Sequence, residues 1–107
     1  MKQEKLCLYI SRYDISEEII RTLNTFGISD IQPINIGKKG AMRALFSHDQ
    51  KDVVVVYGEL ITDDIIRVLQ HEEYKIVHYR TIRNLVSETR NIQKIFENTN
   101  ESEESVD

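Results

Sequence analysis

Four short stretches of the chain are dominated by apolar and β-branched residues, and each has the length of a β-strand. They are residues 5–10 (KLCLYI), 30–36 (DIQPINI), 53–57 (VVVVY) and 74–79 (YKIVHY). The first and third are almost continuously apolar, which is typical of strands buried on both faces of a sheet. The second contains Pro33, which has no backbone N–H to donate to a neighbouring strand, so this strand is predicted to lie at a sheet edge.

Apolar residues at helical spacing fill the segments between and after these strands. The spacing predicts helices at residues 15–26, 40–48, 62–72 and 82–97. Asp14 or Ser16 is suited to cap the first helix, and Thr62 is suited to cap the third. Gly27 follows the first helix at the position where a glycine commonly ends one.

The order of elements is therefore β-α-β-α-β-α-β-α, and this alternation with short connections indicates parallel strands joined by right-handed crossovers. The predicted fold is α/β, a single small three-layer domain whose four-stranded, mainly parallel sheet has the order 2-1-3-4. The alternative is a ferredoxin-like α+β fold (βαββαβ) with an extra C-terminal helix, which also places the second strand at an edge. Residues 38–50 distinguish the two folds, because a helix there favours the parallel sheet and a loop or hairpin favours the alternative.

The charge of the chain is unevenly distributed. The 107 residues include 14 Lys and Arg against 18 Asp and Glu, for a net charge of −4. Every base lies at or before Lys94, whereas five of the acids lie after residue 96, so residues 1–96 are nearly neutral. The last segment, ENTNESEESVD, cannot bury enough apolar surface to offset the entropy cost of ordering it. We therefore expect one domain at residues 1–96 and an acidic, disordered tail at residues 97–107.

Composition narrows the classes of function. The single cysteine excludes an intrachain disulfide and a four-cysteine zinc site. The apolar runs are far shorter than the roughly 20 residues of a membrane span, and the N-terminal residues lack a signal-peptide pattern, so we expect a cytoplasmic protein without membrane contact. The sequence contains no recognisable nucleophile–base pair, metal-ligand spacing or cofactor motif. We therefore expect a protein that is not an enzyme and that holds no cofactor or metal.

In an open parallel sheet, ligands bind beyond the carboxyl ends of the strands, at the point where the strand order reverses. Here that point lies between the first and third predicted strands, at the loops 11–14 and 58–62, and the loop 37–40 after the second strand is a separate candidate. Arg12 is suited to bind a phosphate or carboxylate, and Ser11 to donate a hydrogen bond to one. Glycines in the loop 37–40 (GKKG) let the backbone approach a ligand, and the nearby cations attract anions. The candidates for an anion site are Ser11, Arg12, Gly37, Lys38, Lys39, Gly40 and Arg43. The loop lacks the GK[ST] ending of a Walker A motif, and a GxxG loop of the KH type joins two helices rather than following a strand.

A second set of cations lies on the last predicted helix. Arg83, Arg90 and Lys94 are separated by seven and eleven residues and so share one helix face, and Arg80 lies just before the helix. We expect this basic interaction face to suit an acidic protein or the phosphates of a nucleic acid.

These features favour binding functions over catalysis. The expected function is that of a small regulatory or adaptor protein that acts by protein–protein interaction. One alternative is a binder of a phosphorylated small molecule or nucleotide through the loop 37–40, and another is nucleic-acid binding through the basic face. A homodimer formed through the fourth strand or the last helix is compatible with each of them.

Overall fold

The computed structural model describes residues 6–58 and 63–105, with side chains described as far as Glu97. Its strands are β1 (Leu6–Ser11), β2 (Ile31–Asn35), β3 (Val53–Tyr57) and β4 (Lys75–His78). Its helices are α1 (Glu17–Thr25), α2 (Ala41–Leu45), α3 (Asp63–His71) and α4 (Ile82–Ser105), and a 3₁₀ turn at Gln50–Asp52 leads into β3. Each predicted helix and strand is present, and most of the observed ends lie within two residues of their predicted positions.

The strands form one parallel sheet in the order β2-β1-β3-β4, which confirms the predicted fold. The helix α2 lies within residues 38–50, the segment that distinguishes this fold from the ferredoxin-like alternative. The α2 helix is shorter than predicted because Phe46 already has non-helical backbone angles and the Ser47 hydroxyl donates to the carbonyl of Ala44. The chain then enters the 3₁₀ turn, where the Asp49 side chain accepts from the N–H of Lys51 at 3.1 Å.

Alternation of side chains along the central strands builds a core on each face of the sheet. On one face, Cys7 and Tyr9 of β1 pack with residues of α1 and α4, among them Leu23, Leu85 and Ile92. On the other face, their strand neighbours pack with residues of α2 and α3. This second cluster includes Leu8, Ile10, Leu45, Val55 and Leu69. The two clusters make a three-layer domain with β1 and β3 at its centre.

The position of Pro33 follows from the hydrogen bonding of β2. The N–H of Cys7 donates to the carbonyl of Asp30, and the N–H of Ile36 donates to the carbonyl of Ser11. In a parallel ladder the amides of alternate residues face the same neighbour, so Pro33 is among the residues whose amides face away from β1. Proline therefore removes no bond from the sheet, and it leaves this edge without a donor at that position.

The tyrosines Tyr9 and Tyr79 form a buried pair between β1 and the end of β4. Their hydroxyl oxygens are 2.5 Å apart, and their ring centroids are 6.3 Å apart. The ring of Tyr79 lies directly against Gly58, at the carboxyl end of β3, and a Cβ atom at Gly58 would lie 2.1 Å from its Cζ. A glycine is needed at this position because the ring occupies the space of any side chain.

The last helix is longer than predicted. Its apolar residues cover the sheet as far as Ile95 and Phe96, and its backbone continues as a helix to Ser105. The predicted acidic tail at residues 97–107 falls mostly on residues whose side chains lie outside the described part of the chain. Its disorder stays a prediction.

Candidate functional site

Two loops meet at the carboxyl ends of β1 and β2, and we call them together the β1/β2 loop cluster: residues 11–16 and 35–43. The N–H of Ile36 donates to the carbonyl of Ser11 at 2.9 Å, which joins the start of one loop to the other. A Cβ atom at Gly37 would lie 3.4 Å from the carbonyl oxygen of Arg12, so the two backbones are close there. The structure thus brings together the two groups of candidate residues that the sequence places more than 20 positions apart.

The Ser11 side chain has a different role from the predicted one. Ser11 is buried, and its hydroxyl oxygen accepts from the N–H of Tyr13 at 3.0 Å and donates to the carbonyl of the same residue. This local turn uses the hydroxyl that was expected to donate to an anion. Ser11 therefore fixes the backbone of the turn, and the Tyr13 side chain extends from that turn with 69% of its surface exposed.

A carboxylate ties the two loops together at the surface. One carboxylate oxygen of Asp14, Oδ1, accepts from Nδ2 of Asn35 at 3.2 Å and lies 3.2 Å from Nζ of Lys38. The hydrogen bond from Asn35, followed by the bond and the charge of Lys38, lowers the pKa of the Asp14 carboxyl below its ordinary value of 3.8. Asn35 also accepts from the N–H of Gly37 at 2.9 Å. Lys38 thus already has an anionic neighbour within the chain.

The remaining cations of the loop cluster are Arg12, Lys39 and Arg43. All three are exposed, and none forms an ion pair with another described residue. Gly40 precedes α2 with a φ of 85°, a left-handed conformation that favours glycine, and a Cβ atom there would meet nothing within 4 Å. The cluster therefore presents three exposed cations that have no ion-pair partner among the described residues.

The cations of the last helix lie apart from this cluster. Arg83, Arg90 and Lys94 are exposed on one face of α4, and Arg80 precedes the helix, where its N–H donates to Oδ1 of Asn84 at 2.8 Å. The α4 helix packs with α1 on one face of the sheet, whereas α2, which carries Arg43, packs on the opposite face. No described contact joins the two basic groups, and ligand binding by α4 stays a prediction.

Two exposed side chains of the loop cluster were not among the residues predicted for the anion site. They are Tyr13 and Met42, and Met42 has 39% of its surface exposed in the first turn of α2. The signal for Tyr13 was a lone aromatic residue within an otherwise polar turn. No comparable signal marked Met42, whose helical spacing with Leu45 indicated a core position.

The crevice between β1 and β3 is another expected ligand position, and residues 59–62 of its expected loop 58–62 lie outside the described residues. Within the described part of the chain, no three His, Cys, Asp or Glu side chains are grouped to hold a metal ion. Over the same residues, no helix has the length and apolar character of a membrane span.

Comparisons of the chain with protein-family models, with curated proteins and with solved structures found no match. The functional conclusion therefore rests on the geometry of the chain itself.

Proposed function

We propose that this chain is a non-enzymatic regulatory or adaptor protein that binds another protein through the β1/β2 loop cluster. The observation that carries the proposal is Tyr13, which is 69% exposed in a turn fixed by the buried Ser11 hydroxyl. A tyrosine held in solvent offers a large contact area at a low cost in conformational entropy. Exposed Tyr, Arg and Met side chains are enriched at protein interfaces, and this cluster presents all three types.

The charges of the loop cluster indicate the chemistry of the partner surface. Arg12, Lys39 and Arg43 have no ion-pair partner among the described residues, so they favour carboxylates on the partner. Tyr13 and Met42 favour an apolar contact among those charges. We therefore expect an acidic segment with at least one apolar side chain, whose association weakens as salt rises.

Affinity capture with paired variants tests this proposal. A double variant, Arg12→Ala with Tyr13→Ala, removes one cation and the exposed ring without touching a described core residue. The control, Arg90→Ala with Lys94→Ala, removes cations from the exposed face of α4. The proposal predicts a protein partner that is lost with the first variant and kept with the control. Loss with the α4 variant alone would contradict it.

A phosphorylated small molecule or nucleotide is the second candidate, and the open space at Gly40 favours it. No side chain caps the start of α2, and the N–H of Ala41 already donates to the carbonyl of Lys38 at 3.3 Å, so an anion here would depend on the exposed cations of the loop. Thermal-shift measurements with inorganic phosphate and with nucleotides test this function. Stabilisation that Lys38→Ala with Lys39→Ala abolishes would favour a small anion over a protein as the principal ligand.

Nucleic-acid binding requires both basic groups or a long face of α4. A gel shift at two salt concentrations tests it, because phosphate contacts make affinity fall steeply with salt. We rank this function third, because α2 and α4 pack on opposite faces of the sheet and no described contact joins their cations.

A further inference from the structure

A groove between the end of α2 and α3 presents apolar side chains to solvent. Its volume is about 420 Å³, and Phe46, Val68 and Tyr74 form its apolar lining. Val68 is 45% exposed, although the next residue of α3, Leu69, is fully buried. The rings of Phe46 and Tyr74 meet edge to face with centroids 5.8 Å apart, and the Tyr74 hydroxyl donates to the carbonyl of His48 at 3.1 Å. These contacts hold the walls of the groove in place, so a ligand needs little rearrangement of them.

A larger cavity adjoins this groove at His48, which lines both. It lies at the amino ends of β1, β2 and β3, and its volume is about 610 Å³. Its lining includes three aspartates, Asp30, Asp49 and Asp52. Asp49 accepts from the N–H of Lys51, whereas the carboxylates of Asp30 and Asp52 form no hydrogen bond or ion pair with any described residue. We call the groove and the cavity together the amino-end groove.

The amino-end groove is negatively charged in both of its parts. No described Lys or Arg lines it, and Glu72 lines its apolar part. Burial, followed by the nearby charges of Glu72 and Asp49, raises the pKa of the Tyr74 hydroxyl above its ordinary value of 10.0. Carboxylates of the groove and of the cavity therefore act on the same point between them. A concave surface lined by charges of one sign attracts ligands of the opposite sign.

We propose that the amino-end groove binds a basic segment of a partner protein. An apolar side chain of that segment packs against Phe46, Val68 and Tyr74, and its Lys or Arg side chains pair with Asp30 and Asp52. Charge favours this occupant over a nucleic acid, whose phosphates the aspartates repel, and the apolar lining favours it over a small hydrophilic cation.

The amino-end groove and the β1/β2 loop cluster lie at opposite ends of the strands. The loop cluster follows the carboxyl ends of β1 and β2, so the present proposal does not rest on the function proposed for it. An adaptor with both surfaces would join an acidic segment at one end of the sheet to a basic segment at the other.

Isothermal titration calorimetry at low and physiological salt tests the proposal with blocked synthetic peptides as probes. The probe RRLRR has one leucine between arginines, RRSRR lacks the apolar side chain, and EELEE reverses the charge. We expect saturable binding of RRLRR that weakens as salt rises, about tenfold weaker binding of RRSRR, and none of EELEE. Failure of RRLRR to bind at low salt, or equal affinity for RRLRR, RRSRR and free arginine, would overturn the proposal.

Variants of the full chain locate the binding surface. Asp30→Asn with Asp52→Asn is expected to weaken RRLRR binding about tenfold, and Val68→Asn, which removes an exposed apolar side chain, is expected to weaken it several-fold. The control, Glu17→Gln with Glu18→Gln, makes the same change of charge on α1 and is expected to alter the affinity by no more than about twofold. Equal weakening by the control would show a non-specific attraction between charges, and unchanged affinity in both groove variants would equally contradict the assigned surface.

Two other occupants of the amino-end groove would give distinct results. Residues 1–5 lie outside the described part of the chain, include Lys2 and Lys5, and precede a residue that lines the cavity. RRLRR binding that appears only in the variant Lys2→Gln with Lys5→Gln would identify that segment as the occupant. Self-association in sedimentation velocity that Asp30→Asn with Asp52→Asn abolishes would identify a second copy. Either result would overturn the proposal.

Discussion

Replacing Gly58 by alanine tests the packing at the end of β3. The added Cβ atom would lie 2.1 Å from Cζ and 2.5 Å from both Cε1 and the hydroxyl oxygen of Tyr79. Ordinary contacts require about 3.4 Å or more, so the ring and the strand must separate by more than about 1 Å. Neither moves freely, because Tyr79 is 6% exposed and is hydrogen-bonded to Tyr9.

The expected cost follows from these contacts. Overpacking of a well-filled site costs about 1–3 kcal/mol, and loss of the Tyr9–Tyr79 hydrogen bond costs about 1 kcal/mol more. We therefore expect Gly58→Ala to lower the free energy of unfolding by about 3 kcal/mol. The backbone at Gly58 is not left-handed, so the effect is steric alone.

Urea unfolding followed by circular dichroism measures the loss. Gly40→Ala is the matched control, because its Cβ atom meets nothing within 4 Å while its φ of 85° is strained for alanine. That strain costs about 1 kcal/mol. In a chain that carries Tyr79→Leu, the further cost of Gly58→Ala is expected to fall sharply, since the obstructing ring is absent. An equal cost in both backgrounds, or a cost below that of Gly40→Ala, would refute the steric explanation.

Three further perturbations have outcomes that the structure defines. Burial of the Cys7 thiol raises its pKa from 9.0 to about 12, so the unfolded chain loses this proton first and stability falls as pH rises from 9 to 12. Comparing the free energy of unfolding of Cys7→Val with that of the wild type between pH 9 and 12 separates this contribution from that of the tyrosines. Identical slopes of free energy against pH in the two chains would contradict it. Ser16 caps α1 by accepting from the N–H of Ile19 at 3.3 Å, so Ser16→Ala is expected to cost about 1 kcal/mol in urea unfolding, and no loss would show that the cap contributes little. The lowered pKa of Asp14 means that its hydrogen bond from Asn35 and its pairing with Lys38 stabilise the loops above the ordinary carboxyl pKa, and that this contribution is lost as pH falls through the lowered value. Asp14→Asn is therefore expected to remove the acid dependence of stability that this carboxylate causes. It is also expected to strengthen binding of an acidic partner at neutral pH, which a titration at several salt concentrations measures. Unchanged affinity would show that Lys38 takes no part in binding.

The fold was predictable because, at a few residues, the local sequence pattern allows only one position in the sheet. Four successive valines leave no polar face and require a central strand, and Pro33 requires an outward amide at an edge. Helix ends were less predictable, since they depend on backbone bonds such as those that end α2 near Phe46. The extension of α4 past residue 97 was also missed, because its C-terminal residues have no apolar periodicity to indicate a helix.

The candidate site was predictable in its residue types but not in its geometry. Arg12 and Lys39 were identified from charge and loop position. The Ser11 hydroxyl is used in a local turn with Tyr13, one of several conformations that a serine at the end of a strand can adopt. The neutralisation of Lys38 by Asp14 depends on how β1 and β2 align, and it joins residues distant in the chain, so no local pattern encodes it. The exposure of Tyr13 depends on the same turn.

Site-specific photocrosslinking tests most directly whether the β1/β2 loop cluster is the binding surface. A photoreactive phenylalanine analogue is placed at Tyr13 in one variant and at Phe26 in another. Both side chains are exposed, but Phe26 lies at the far end of α1, away from the loop cluster. We predict a discrete covalent adduct with another protein from position 13 and none from position 26. An adduct from position 26 without one from position 13, or no adduct from either, would contradict the proposed function.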